Sequence, residues 1–376
     1  MRIARFVSEF KADADRGLMP NYHKLSLAQR ALGNDVSIFA MGEAESGGTA
    51  FNGIDVTFVK KPPLARVFLG GKLMDALLKS GFDARIVHST NPMPLGWLFP
   101  HYRKKTNAKF ALSLHGSLNP LRAHGHGSVF AMRDSLEFPA LAKFLARRVD
   151  IILPVADFIK RELLDAGVPE QKIKVVPSGV DFAMFSGTRP KMGGTGSEFT
   201  VLYTGRLAET KGIAHLLQAA ALLKGKGIKF RLVGGTAKDG GYAGAVSLAG
   251  RLGVNEFVEF LPPVSHGEMP ALYAQADAFV LPSFMEGRSK VLWEAMAAGV
   301  PAIATACGGT LETIRHGENG LLVPVADAEA IAEAIMRLRN DGALCRRLAR
   351  RGRATAKGFD WKIVAKQYLA AFEAVL

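Results

Sequence analysis

Short β-rich runs alternate with helical stretches along almost the whole chain, and this alternation constrains the fold more than any single motif does. The runs Ile3–Val7, Asp35–Ala40, Ile54–Val59, Ala84–His88, Ala108–Leu114 and Asp150–Pro154 are separated by stretches such as Tyr22–Leu32 and Lys72–Leu78, which read as helices. Strand and helix in regular succession predict a parallel sheet with helices on both faces. A second series begins near Thr200. It contains Phe199–Tyr203, a helix over Gly212–Lys224, then Lys229–Val233, Phe257–Leu261, Ala278–Leu281 and Ala302–Ala304. Residues 185–197, between the series, are rich in Gly, Pro and Ser and lack apolar periodicity, the composition of a linker. A chain of 376 residues is long enough for two domains. The reading is therefore α/β, with two Rossmann-like, doubly wound parallel-sheet domains over residues 1–182 and 199–359 and a linker over 183–198. Ligands of such sheets bind outside the carboxyl ends of the strands.

Composition removes several alternatives. Apolar residues make up 48% of the chain, enough for a core in each domain and against bulk disorder. No apolar run approaches the ~18 residues of a membrane span. The start, Met1 to Val7, is a short β-like run without the long apolar stretch of a signal peptide. Cys307 and Cys345 are too few for a disulfide scaffold or a thiolate zinc site. A cytoplasmic protein is expected. The 48 Lys and Arg against 34 Asp and Glu, a net charge of +14, call for an anionic partner. Residues 60–148 carry fifteen Lys or Arg and only four Asp or Glu. With Leu64, Val67, Phe68, Leu69 and the 94–99 segment nearby, that stretch predicts peripheral contact with an anionic membrane surface, at roughly 1 kcal/mol per basic residue. A second basic cluster runs from Arg337 to Lys357 on an expected helix. No nucleic-acid-binding motif is present, and nucleic acid is not expected as a partner.

The most informative segment is 283–301, Ser-Phe-Met-Glu-Gly-Arg-Ser-Lys-Val-Leu-Trp-Glu-Ala-Met-Ala-Ala-Gly-Val-Pro. It follows the strand Ala278–Leu281. Gly287 permits an unusual turn, Ser289 suits an N-cap, and Lys290–Ala298 reads as a helix with an apolar face. Helix N-terminal amides attract phosphate. Glu286 sits just before that helix and Glu294 in its second turn, so the two carboxylates can accept hydrogen bonds from two separate sets of hydroxyls, one suited to a sugar and one to a ribose.

This Glu-x7-Glu arrangement resembles the retaining GT-B glycosyltransferases of family 4 (glycosyl transferases group 1), and the resemblance extends over most of the chain. Tyr203-Thr-Gly205-Arg206-Leu-Ala-Glu-Thr-Lys211-Gly212 is similar to that family's diphosphate motif. Val176-Pro-Ser-Gly179-Val-Asp181 resembles the end of its first domain. Thr305-Ala-Cys-Gly308-Gly309 with Glu312, and His316 to Pro324, resemble its late signatures. Phe359-Asp360-Trp361 resembles the start of a terminal crossover helix, here 360–376, that returns to the first domain.

The resemblance implies a GT-B fold and metal-independent transfer of a hexosyl unit from a UDP- or GDP-sugar, with no cofactor. Glu286 would bind the donor sugar's hydroxyls and Glu294 the ribose, while Arg206 and Lys211 would neutralise the departing diphosphate. The backbone amides of Arg288, Ser289, Lys290 and Val291, beside Gly287 and Gly205, would cradle phosphate. Gly234 would line the nucleotide side and Leu261 the base. His115, in Leu114-His115-Gly116, resembles the family's histidine at the sugar end of the cleft, although a core histidine after an apolar strand has the same local sequence. Gly17 stands where the family usually has Gly-Gly, and Arg288-Ser289-Lys290 replaces a commoner Phe-Gly-aliphatic run, which points the basic pair at phosphate or at an acidic acceptor. The expected acceptor is a lipid-linked intermediate of a surface polysaccharide, lipopolysaccharide or glycolipid, with a soluble sugar phosphate as the alternative. A non-catalytic sugar-nucleotide-binding protein would not need this full set of charged residues. Asp13-Ala14-Asp15 precedes the first helix rather than following a central strand, the wrong place for a metal-binding pair. His124 and His126 lie in a Gly-rich loop with no further ligands in view.

Overall fold

The computed structural model describes residues 1–7, 19–42, 48–51, 53–60, 65–90, 103, 105–117, 139–140, 142–188, 198–236 and 240–376. The chain forms two compact units, one of Met1–Gly179 with Trp361–Leu376 and one of Val180–Asp360.

The first unit holds strands β1 (Arg2–Val7), β2 (Asp35–Gly42), β3 (Gly48–Phe51), β4 (Ile54–Lys60), β5 (Ile86–Ser89), β6 (Lys109–Leu114) and β7 (Ile151–Pro154). Their order is β3-β4-β2-β1-β5-β6-β7. Every pair is parallel except β3 with β4, so β3 is an antiparallel edge strand that the sequence pattern did not announce. Helices α1 (Met19–Ala31), α2 (Ala65–Lys79) and α3 (Asp157–Asp165) follow β1, β4 and β7. The chain's last helix, Trp361–Glu373, belongs to this unit, and its Val364, Ala365, Tyr368 and Phe372 share a core with Ile3, Val36, Ile86 and Ala111. Strands buried on both faces read as near-continuous apolar runs, as β5, β7 and most of β1 do.

The second unit is a six-stranded parallel sheet of β8 (Phe199–Thr204), β9 (Ile228–Val233), β10 (Val258–Leu261), β11 (Ala278–Leu281), β12 (Ala302–Thr305) and β13 (Leu321–Val323), in the order β10-β9-β8-β11-β12-β13. Its helices are α4 (Phe182–Ser186), α5 (Ile213–Leu222), α6 (Gly240–Leu252), α7 (Met269–Ala274), α8 (Lys290–Ala298), α9 (Ala328–Asn340) and α10 (Gly342–Lys357); the chain's last helix is α11. Helix α4 corrects the sequence reading of 183–198 as linker throughout. Asp181 accepts the Met184 N–H as its N-cap, and Phe185 is fully buried in the core of this unit. Residues 189–197 lie outside the described residues.

Strand order reverses between β8 and β11. That switch point is where an open α/β sheet forms a crevice beyond its strand ends. The loop after β8 carries Gly205, Arg206 and Lys211, and the loop after β11 carries Glu286 and Gly287.

Candidate functional site

The two loops at the switch point are joined by their backbones and by an ion pair. Phe284 N–H donates to Thr210 O at 3.0 Å. Gly212, in left-handed conformation at φ 67°, closes the first loop, and a Cβ there would stand 1.9 Å from Pro282 O, so only glycine fits. Lys211 Nζ then lies 2.7 Å from Glu286 Oε1. The same oxygen accepts the Ser283 hydroxyl at 2.6 Å. Glu286 is buried, and its Oε2 has no partner among the described residues. The carboxylate is thus fixed through one oxygen and offers the other.

The backbone of Glu286 is held from a third loop. Gly309 N–H donates to Glu286 O at 2.9 Å, and a Cβ on Gly309 would lie 1.7 Å from Gly287 O. The Gly308-Gly309 pair noticed in the sequence therefore supports the Glu286–Gly287 turn from behind. Arg206 keeps its side chain exposed, and its carbonyl accepts the Tyr203 hydroxyl at 2.7 Å. Beside it the carboxyl ends of three strands line up. Gly205 N–H donates to Val233 O at 2.9 Å, and Gly234 N–H donates to Leu261 O at 3.2 Å.

Helix α8 starts with Ser289 at the N-cap position, as expected, but the Ser289 hydroxyl makes no capping bond. The first-turn amides of α8 are left for another acceptor, and the helix dipole favours an anionic one. One turn along, Glu294 is 2% exposed, and three side chains surround its carboxylate. His266 Nε2 is 3.1 Å from its Oε1, Lys290 Nζ is 3.6 Å from the same oxygen, and the Tyr273 hydroxyl donates to Oε2 at 3.3 Å. Tyr273 also reaches Val291 O at 3.1 Å. Burial first, and then Glu294, push the Tyr273 phenol well above its usual value, so it stays a neutral donor.

His266 and Tyr273 were not singled out from sequence. The available signal was Ser265-His-Gly-Glu268, where the Glu268 carboxylate accepts both the Ser265 N–H and its hydroxyl and fixes the turn that carries His266. The Arg288 side chain, as distinct from its backbone amide, is engaged within the unit. Its guanidinium is turned to Glu312, 3.6 Å away, and lies over the rings of Phe359 and Trp293, at 5.1 and 5.7 Å from their centroids. Those rings themselves stack at 4.1 Å.

In the first unit, His115 follows β6 and is half-buried. Its Nε2 meets the Tyr22 hydroxyl of α1. Burial pushes its pKa down to about 4, so the imidazole is neutral near pH 7. Behind Tyr22 lies a buried polar network with no carboxylate in it among the described residues. Arg5 donates to Ser26, to Gln29 Oε1 at 2.6 Å, to Tyr22 O and to His88 Nδ1, both at 3.3 Å. His88 Nε2 meets Ser113 Oγ at 2.8 Å, which in turn meets the Tyr368 hydroxyl of α11 at 3.2 Å. Gly17, Asp13, Asp15, His124, His126, Leu64 and the 94–99 segment lie outside the described residues.

Residues 22–183 match the model of Glycosyltransferase Family 4, and residues 188–355 match that of Glycosyl transferases group 1. Together with the two-sheet architecture, they define the class: the chain belongs to the family 4, group 1 glycosyltransferases of GT-B fold. A D-inositol 3-phosphate glycosyltransferase of Nocardia farcinica is 32% identical over 228 residues, covering 57% of this chain and 51% of that protein. The chain spans about half the length of the curated relatives it matches first. Among solved structures, sucrose-phosphate synthase from Thermosynechococcus elongatus superposes with a TM-score of 0.84 at 24% identity, over 99% of this chain and 98% of that one. HepE from Anabaena, in complex with UDP-glucose, superposes at 0.78 with 20% identity over 99% of both chains.

Proposed function

We propose that this protein is a retaining, metal-independent glycosyltransferase that moves a hexosyl unit from a UDP- or GDP-sugar to a hydroxyl acceptor. The observation that carries the reading is the Lys211–Glu286 pair at the switch point, with one Glu286 oxygen left for a ligand. In this reading Glu286 Oε2 accepts the donor sugar's hydroxyls. Glu294, held by His266, Lys290 and Tyr273, accepts those of the ribose. The strand ends at Gly205, Gly234 and Leu261 receive the nucleotide.

Departure of a nucleoside diphosphate develops negative charge on its terminal phosphate. Fixed cations and oriented amides in a site shielded from water stabilise that charge. Lys211, the exposed Arg206 and the uncapped first turn of α8 supply them, and no metal is required. The acceptor hydroxyl approaches the face from which the diphosphate leaves. A departing phosphate oxygen takes the hydroxyl proton as the new glycosidic bond forms and the sugar–phosphate bond breaks. His115, neutral near pH 7, binds a sugar hydroxyl rather than a phosphate.

The acceptor in this reading is a lipid-linked intermediate of surface polysaccharide, lipopolysaccharide or glycolipid synthesis. The protein works in the cytoplasm, against the membrane, through its basic 60–148 stretch. Among the described residues no helix is long and apolar enough to cross a membrane. A second reading, a soluble phosphorylated acceptor, is favoured by the inositol phosphate acceptor in the Nocardia relative's name. The donor is tested by thermal unfolding with UDP, GDP, ADP and their sugars. A ligand at 100 times its dissociation constant is expected to stabilise by about 2.7 kcal/mol, and no shift with any of them would refute the reading. The acceptor is tested by supplying membrane lipid extract or a soluble polyol phosphate with the donor that binds and following release of the nucleoside diphosphate.

A further inference from the structure

Helix α10 contains five Arg, one Lys and no Asp or Glu. Leu344, Cys345, Leu348, Ala349, Gly352 and Ala356 are buried and seat the helix on its unit, where it packs against α4, α8, α9 and β12. Of its cations, Arg346, Arg347, Arg350, Arg351 and Lys357 are exposed and Arg353 is half-buried. A solvated helix face ordinarily interleaves both signs of charge. Here Arg346 with Arg350, Arg347 with Arg351 and Arg353 with Lys357 are like charges four residues apart, a spacing that destabilises a helix. The helix dipole accounts for the cations of the last turn only. Among the described residues no ion pair engages any of the six, although α9 next to it carries Glu329 and Glu333.

A second feature lies on the same face. A cleft of about 350 Å³ is floored by Phe182, Gly299 and Ala349, with Arg350, Arg353 and Lys357 around it. Its lining is almost wholly apolar, and the three cations contribute the stems of their side chains to it rather than their charged heads. A free phosphate would be held by the cations and would leave the floor unused. A duplex nucleic acid bound through its phosphates would likewise use the cations alone and leave the floor unused. A phospholipid fits both parts, its phosphate on the cation heads outside the cleft and its first acyl carbons inside it, against Phe182, Ala349 and the stems of Arg350, Arg353 and Lys357.

We propose that the α10 face docks the protein on a bilayer of anionic phospholipid, with one lipid seated in the cleft beside Arg350, Arg353 and Lys357. This surface is separate from residues 60–148 and does not depend on the sugar-transfer reading. None of its residues belongs to the switch-point loops.

The test is co-sedimentation of the full chain with phosphatidylglycerol/phosphatidylcholine vesicles and with pure phosphatidylcholine vesicles. Binding is expected only to the anionic vesicles and is expected to fall with salt. The triple variant Arg350→Ala/Arg353→Ala/Lys357→Ala, with an unchanged far-ultraviolet circular dichroism spectrum, is expected to bind roughly a hundred-fold more weakly. Ala354→Gln places an amide beside the cleft while keeping every cation, and is expected to weaken binding several-fold. Lys72→Ala/Lys79→Ala in the first unit is expected to retain the α10 contribution, so that adding the triple change still weakens binding. The proposal is overturned if the wild type ignores anionic vesicles, if the triple variant binds as the wild type does, if inorganic phosphate at constant ionic strength releases the protein, or if a short DNA duplex binds as tightly as vesicles and is lost with the same residues.

Discussion

Acid is expected to weaken the first unit through two histidines that the fold keeps uncharged. His88 is fully buried and is held well below its ordinary value of 6.5, first by burial, then by the Arg5 charge and by His115. Burial brings His115 from 6.5 to about 4. In the unfolded chain both titrate near 6.5, so between pH 6.5 and 4 the unfolded state binds protons that the folded state does not. Stability is then lost as pH falls through that window and is fully present above it. For His115 alone, at about 1.36 kcal/mol per pH unit, the loss is roughly 2.5 kcal/mol between pH 7.5 and 4.5. The assay is native-state hydrogen exchange of the β5 and β6 amides, which reports this unit alone, in the wild type and in His115→Gln. The wild-type opening free energy is expected to fall more steeply than the variant's, by about that amount. Parallel curves would show that the imidazole is solvated in the folded state and would refute the reasoning.

Gly212→Ala is expected to destabilise the second unit by roughly 2–4 kcal/mol, since it adds left-handed strain to an overlap with Pro282 O; urea unfolding measures it. Glu312→Ala leaves the Arg288 guanidinium, 8% exposed, without its carboxylate and is expected to cost about 3 kcal/mol in the same assay while donor binding survives. Tyr273→Phe removes the hydroxyl that reaches Glu294 and Val291 O. It is expected to weaken nucleoside diphosphate binding several-fold by calorimetry, and unchanged affinity would detach Tyr273 from the site.

The sheets were legible in the sequence because parallel strands buried on both faces leave compact apolar runs between helices, as at Ile151–Pro154 and Ala278–Leu281. Strands β3 and β13 were not, since Gly48–Phe51 and Leu321–Val323 are too short to show a period. Helix α4 was hidden by the Gly- and Pro-rich stretch that follows it, and its Asp181 cap only has meaning once Phe185 has a core to enter. Glu286 and Lys211 could be read because each stands in a local pattern. Their contact could not, because it depends on β8 and β11 being neighbours in the sheet, 75 residues apart in sequence. Arg288 shows the same limit. Its place beside Ser289 and Lys290 suggested phosphate or an acidic acceptor, whereas Glu312 and the ring of Phe359, both distant in sequence, hold its side chain.

The central claim is that Lys211 and Glu286 form the working end of a sugar-nucleotide transferase. It is tested most directly by the rate of nucleoside diphosphate release from the donor, with acceptor present, in the wild type, Lys211→Ala and Glu286→Ala, each shown to be folded by its thermal transition. The expected result is turnover by the wild type and a loss of roughly a hundred-fold or more in both variants, on the scale of removing one group that stabilises transition-state charge. Full activity in both variants would contradict the account.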